Sequence, residues 1–340
     1  MLLLIGPRRN YKNPAMTGGI IVAFEDLLNW FQENNIQYVI VDTNKSNYKN
    51  KIHAYFSILK CVIKEIKKVD FVSLHGTYND YLFIAPYVVL LSKLLGKKVS
   101  LRKFAGNFDK LYSESKPIYQ MILKKTLRHS DILFFETLHL VNFGKTINRN
   151  TFWFPNGRQD KRDMTNGHAF RKKFVFISQV KDSKGVREIC DAFKKLPQEY
   201  TFDIYGPIVP SELHLEERKE VFDKIYKGAL QSDKVIDVLK AYDVVVLPTY
   251  HQGEGYPGIL IEAYSLNKPV ITTYWNSIPE IVDNMKTGIL IRPKNANELF
   301  NAIIHFNETN YQIYQQNIEE YFKQFDRNFI YNNFMKTLLK

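Results

Sequence analysis

The 340-residue sequence predicts an α/β chain of two successive units, each a parallel β-sheet covered by helices on both faces. Three observations carry this. Short continuous apolar runs, the mark of strands buried on both faces, alternate with helical patterns along the chain. The alternation starts afresh after Phe154-Pro-Asn-Gly157. The length also exceeds what a single core usually serves.

In the first unit, Leu2–Gly6 reads as a strand, followed by an irregular loop to Gly18 and Gly19. A helix runs from Ile20 to about Asn34, with Ile20, Phe24, Leu27, Leu28 and Phe31 on one face. Strand Tyr38–Asp42, helix 51–67, strand Phe71–Leu74 (ending at His75 and Gly76) and helix 79–95 follow. Then come strand Val99–Leu101, a loop through Lys103 and Asn107, and strand Ile132–Glu136. In the second unit, strand Phe174–Ser178 leads through a loop at Lys184 and Gly185 to helix Val186–Leu196. Strand Thr201–Tyr205, ending at Gly206, precedes helices at 211–223 and Val235–Ala241. Strands Val270–Thr273 and Gly288–Ile291 and a helix at 297–307 close the unit, and the tail from Tyr311 to Lys340 is helical with spaced aromatics. The expected domains are 1–155, 156–318 and a C-terminal helix, 319–340, packing back on the first.

The most informative stretch is HQGEGYPGILIEAYSLNKP, residues 251–269. It follows the buried-strand run Asp243–Pro248, and its loop holds Gly253, Gly255, Pro257 and Gly258 before a helix from Ile259 to about Leu266. Strand, backbone-rich loop and helix start together suit an anion such as a phosphate. Two carboxylates, Glu254 and Glu262, stand beside that anion site with seven residues between them. A carboxylate next to a diphosphate is repulsive unless it accepts hydrogen bonds from sugar hydroxyls. The pair points to a ligand with both phosphate and sugar, a nucleotide-sugar. The bland alternative is a dipole-favouring Glu262 and a solvated Glu254.

Composition narrows the class. The chain is 45% hydrophobic and 24% charged, as a globular soluble protein is. Cys61 and Cys190 lie far apart, which suggests a reducing compartment and no disulfide framework or metal knuckle. MLLLIGPRR reads as a strand running into a loop, not a signal peptide, and Tyr81–Leu91 is too short to span a membrane. The net charge of +12 is lopsided: residues 1–150 hold 22 Lys+Arg against 11 Asp+Glu, a net of +11. Lysines at 51, 60, 64, 67 and 68, at 93, 97 and 98, and at 116, 124 and 125, with Arg128, interleaved with Phe56, Leu59, Tyr119 and Ile122, make basic amphipathic faces suited to an anionic membrane surface, or else simply solvated. No nucleic-acid reader motif occurs, so nucleic acid is not an expected partner.

These residues resemble glycosyltransferase family 4: retaining enzymes of GT-B architecture, with two Rossmann-like domains facing a central cleft that holds a nucleotide-sugar. The matching pieces are Gly18-Gly19, PNG at 155–157, FISQVKDSKG at 176–185 and IYG at 204–206. They continue with AYDVVVLPTYHQGEGYPGILIEA at 241–263, which carries the E-x7-E pair, and IPEIV…TGILI at 278–291. The resemblance implies that Glu254 contacts donor-sugar hydroxyls, Glu262 the ribose, and Lys184 the diphosphate, with Glu254 and Lys184 the catalytic pair. Backbone around Gly255, Tyr256, Pro257, Gly258 and Ile259 would hold sugar and distal phosphate. Gly18 and Gly19 would approach the phosphates, Gln179 and Gly206 would line the donor site, and Tyr226, Lys227 and Gly228 would flank the base.

The chain departs from the family at three places. Gln179 stands where the family usually has arginine, so one positive charge on the diphosphate is missing; Lys181 and Arg158 are the candidates to supply it. The stretch Arg102–Gly106 lacks a frequent histidine, for which His75 is the candidate substitute, with Lys103 and Asn107 also on the acceptor side. Ser277 replaces a frequent glycine. Retention would arise from same-face proton transfer to the leaving phosphate or from a covalent carboxylate intermediate. No Asp-x-Asp occurs, so neither metal nor other cofactor is expected. The expected protein is a cytoplasmic enzyme peripheral to the inner face of the cell membrane, adding a sugar from UDP- or GDP-sugar to a lipid-linked or polysaccharide acceptor for capsule or lipopolysaccharide. The rivals are a catalytically silent partner subunit and a nucleotide-sugar epimerase on the same fold.

Overall fold

The computed structural model describes residues 1–10, 18–162 and 169–339. Residues 11–17 of the loop expected before Gly18 lie outside that set. The chain divides into two compact units. One is Met1–Asn156 together with the tail from Ile330; the other is Gly157–Phe329.

The first unit holds six parallel strands: β1 (Leu2–Gly6), β2 (Tyr38–Asp42), β3 (Phe71–Gly76), β4 (Lys98–Lys103), β5 (Ile132–Phe135) and β6 (Thr151–Trp153). Their order is β2-β1-β3-β4-β5-β6, and every pairing is parallel. Alternation along β1 splits the core into two layers. Leu3 and Ile5 join Val72, Leu74, Leu101 and Phe135 on one face. Leu2 and Leu4 join Phe24, Leu27, Phe31, Phe134 and Phe154 on the other.

The tail completes that second layer. Ile330, Tyr331, Phe334 and Leu338 are buried in it. Phe334 stacks on Phe154 at 4.7 Å between centroids, and the Tyr331 hydroxyl donates to Asp26 at 2.8 Å. The handover between units therefore falls at Phe329/Ile330, later than the 318/319 expected from sequence. The reason lies in burial: Tyr314, Ile318, Phe322 and Phe325 are still buried within the second unit.

The second unit holds five parallel strands: β7 (Lys173–Ile177), β8 (Thr201–Tyr205), β9 (Val244–Leu247), β10 (Val270–Thr273) and β11 (Gly288–Ile291), in the order β11-β10-β9-β7-β8. Two helical expectations are corrected. The 79–95 helix breaks at Ile84, ahead of Pro86, into Tyr78–Phe83 and Ala85–Leu94. The 211–223 helix is two single 3-10 turns before Lys219–Ile225, since Pro210 and the Asp182-bound His214 shape its start.

Candidate functional site

In each sheet the chain lays one strand on one side of its first strand and then returns to the other side. The carboxyl ends of the two strands flanking that reversal form the crevice where open α/β sheets take ligands. In the second unit those strands are β7 and β9, and the loops leaving them are the two most informative stretches of the sequence.

The loop after β7 makes one 3-10 turn, Asp182–Lys184, and ends at Gly185 with φ +82° and ψ 24°. A Cβ there would lie 2.3 Å from the Pro248 carbonyl oxygen, so glycine lets the β7 loop press against the end of β9. This contact carries Lys184 to Glu254. The lysine Nζ donates to Glu254 Oε2 at 2.5 Å, and both side chains are nearly enclosed, at 10% and 11% exposure. The Thr249 hydroxyl donates to the same oxygen at 2.8 Å. The loop behind Glu254 is pinned by Trp275 Nε1 donating to the His251 carbonyl and by Asn276 Nδ2 donating to the Gln252 and Glu254 carbonyls. His251 sits against Ser183; burial first, then the charges of Lys184 and Lys181, push its imidazole below the ordinary range, against the pull of Glu254.

The second glutamate has its own cation. Arg158 Nε donates to Glu262 Oε1 at 2.9 Å. Glu262 stands one turn into the helix Gly258–Tyr264. Tyr256 is buried, with its hydroxyl donating to Glu280 at 2.6 Å. At the edge of the sheet, Gly206 has φ +143° and a Cβ there would fall 1.7 Å from the Ser178 carbonyl oxygen, so β8 ends directly against the backbone before Gln179. Gly228 caps this edge, its carbonyl accepting from Gly206 N at 2.9 Å, and the Tyr226 hydroxyl donates to the Gly206 carbonyl. The structure thus brings Lys184, Glu254, Thr249 and His251 together, and Arg158 with Glu262.

Other candidates stand elsewhere. Lys227 directs its amine at Asp203 and the Lys224 carbonyl rather than toward the ends of β7 and β9. Lys181 is buried against Glu212. In the first unit, Gly18 and Gly19 are exposed and open the helix Gly19–Glu33. His75 is corrected from an acceptor contact to a core residue. It is fully buried among Phe24, Phe104, Phe154 and Phe334, bonds Ser73 at 2.9 Å, and burial with the Arg102 charge holds its pKa well below the usual value. The tail helix that encloses it comes from more than 250 residues downstream, which no local pattern announces. Lys103 is also buried, donating to the Phe104 carbonyl; burial lowers its pKa to about 8 against the pull of Glu136 and Asp80. Asn107, half-buried, begins the helix Phe108–Ser113. Thr249, Trp275 and Asn276 had no sequence signal, because their contacts form only when the loops fold over β9 and β10. Among the described residues, no group of three or more His, Cys, Asp or Glu is placed to hold a metal ion.

Known proteins resemble parts of this chain. Residues 171–308, all in the second unit, match the family described as "Glycosyl transferases group 1". A Bacillus subtilis protein assigned as a teichuronic acid biosynthesis glycosyltransferase is 30% identical over 132 residues, 39% of this chain and 32% of that one. An uncharacterized glycosyltransferase of Methanocaldococcus jannaschii is 25% identical over 168 residues, 48% of this chain and 41% of that one. The match therefore spans less than half the length of either relative. Over whole chains, the crystal structure of Anabaena HepE with UDP superposes with a TM-score of 0.76, covering 99% of both chains at 14% identity. The fold is GT-B. Each unit carries one parallel sheet, of six and five strands among the described residues, and the family match falls on the unit that carries Lys184, Glu254 and Glu262.

Proposed function

We propose that this chain is a retaining, metal-independent hexosyltransferase of glycosyltransferase family 4. It would move a sugar from a UDP- or GDP-sugar to a hydroxyl of a lipid-linked or polysaccharide acceptor in cell-surface glycan synthesis. The observation that carries the reading is the pairing of each glutamate with a cation at the sheet reversal, Lys184 with Glu254 and Arg158 with Glu262. Unliganded, the four charges cancel. A nucleotide-sugar offers partners to both sets: phosphates to the cations and hydroxyls to the carboxylates. Lys184 then stabilises the departing diphosphate, as fixed charge does where negative charge develops. Anabaena HepE is seen with UDP and, in a further crystal structure, with UDP-glucose, which supports the donor class. The teichuronic-acid relative supports a surface-glycan acceptor.

The acceptor would be met at the inner face of the cell membrane. No helix among the described residues is long and apolar enough to cross a membrane. In the first unit, Ile52 and Phe56 on the helix Lys51–Glu65 are 72% and 71% exposed, and Leu94 at the end of Ala85–Leu94 is 72% exposed. Lys51, Lys60, Lys64 and Lys93, on the same two helices, are exposed as well. Exposed apolar side chains and lysines on the same helices suit an anionic lipid surface. Vesicle binding should weaken as salt shortens the roughly 10 Å screening length found at 0.1 M.

The decisive experiment is a thermal-shift panel of UDP-, GDP- and dTDP-sugars on the wild type and on Glu262→Ala. The expected result is a rise in Tm with one nucleotide series, lost in the variant; a ligand at 100 times its Kd adds about 2.7 kcal/mol. No shift with any donor would overturn the transferase reading in favour of a silent partner subunit. Donor conversion without acceptor would indicate the epimerase.

A further inference from the structure

Gln179 leaves the proposed diphosphate site one cation short, and the second unit holds a largely enclosed arginine beside Glu262. Arg158 follows Gly157, where the chain enters the second unit. Its backbone is held on both sides: its N–H donates to the Phe325 carbonyl at 3.0 Å, and its carbonyl accepts from Arg327 N at 2.9 Å. Its side chain, 12% exposed, donates from Nε to Glu262 and from Nη1 to the Gly157 carbonyl at 2.8 Å. Its Nη2 lies 2.5 Å from where a Cβ on Gly258 would be. Gly258 and Glu262 are four residues apart on one helix face. The guanidinium therefore spans one turn, with one end on the ribose-binding carboxylate and the other against the backbone that would cradle the phosphate. It lies in the space that a side chain at Gly258 would take.

We infer that Arg158 is the second donor-phosphate cation of this protein, taking over from the position held by Gln179, and that it also orients Glu262. The inference rests on the transferase reading. Lys181, the other candidate, is committed to Glu212 at 3.0 Å. Gln179 is exposed and uncharged. A planar guanidinium can hold a carboxylate on one edge and a phosphate on another, which an ammonium cannot do with the same geometry. With a nucleoside diphosphate bound, Glu262 accepts from the ribose hydroxyls while Arg158 and Lys184 together face the two phosphates.

The test is calorimetric binding of UDP and GDP against uridine and guanosine, for the base that the wild type takes. Arg158→Val should weaken the diphosphate at least tenfold and the nucleoside less than threefold. Arg158→Lys, which keeps the charge and guards against a folding artefact, should fall between. Adding Gln179→Arg to Arg158→Val should recover most of the lost diphosphate affinity. Equal losses for nucleoside and diphosphate would overturn the inference, leaving Arg158 as a prop for Glu262 alone; unchanged diphosphate binding in Arg158→Val would overturn it as well. A wild type that binds neither nucleoside nor diphosphate would overturn the donor site itself, and the inference with it.

Discussion

Replacing Lys184 by methionine should destabilise the second unit by an amount that the Lys184–Glu254 geometry sets. Both side chains are nearly enclosed and directly bonded, and removing one partner of a buried ion pair costs roughly 3–5 kcal/mol because the other charge is stranded. The Thr249 hydroxyl would still donate to Glu254 Oε2, so the loss should lie near the lower end, about 3 kcal/mol. In a domain of this size each kcal/mol moves Tm by roughly 2–4 °C, which predicts a fall of about 6–12 °C. Glu254→Gln keeps the volume and an acceptor for Thr249, so its cost should be smaller, about 2 kcal/mol. The double variant should lose only about 3 kcal/mol, because neither charge is then stranded; the coupling of about 2 kcal/mol is the signature of a real pair. Calorimetric unfolding of the four proteins measures it. Additive losses within about 0.5 kcal/mol, or a Lys184→Met protein melting within about 2 °C of wild type, would refute the reasoning.

Two further predictions concern the fold. His75 is neutral when folded, because burial and Arg102 depress its pKa, whereas the unfolded chain takes up a proton as pH falls through about 6.5. Stability should therefore drop below pH 6.5, by up to about 1.4 kcal/mol per pH unit, with half-buried His251 acting in the same direction. Urea midpoints at pH 7 and pH 5 should converge less for wild type than for His75→Leu, and equal pH losses would count against the buried-histidine account. Gly206→Ala should prevent stable folding of the second unit, since its Cβ would sit 1.7 Å from a backbone oxygen. Gly228→Ala, with φ +95° but open space around it, should cost only the left-handed strain of about 1–2 kcal/mol. Comparing soluble yield and melting of the two variants separates collision from strain.

Much of this protein was legible in one dimension because its information is local. Parallel strands buried on both faces must be continuous apolar runs, so β1, β10 and β11 have the bounds their sequences suggest. The strand–loop–helix around Glu254 and Glu262 is likewise a consecutive stretch, whose glycines report where backbone must approach backbone. What tertiary structure alone decided are the partners. Arg158 and Glu262 are 104 residues apart and Lys184 and Glu254 are 70 apart, and a charge carries no mark of which distant charge will neutralise it. The same holds for His75, polar and next to a loop in sequence. Its burial was decided by Phe334, which the returning tail lays over the sheet. Period and turn chemistry write the elements into the sequence; the pairing of charges and the closing of the core depend on which elements meet, and only the folded chain brings them together.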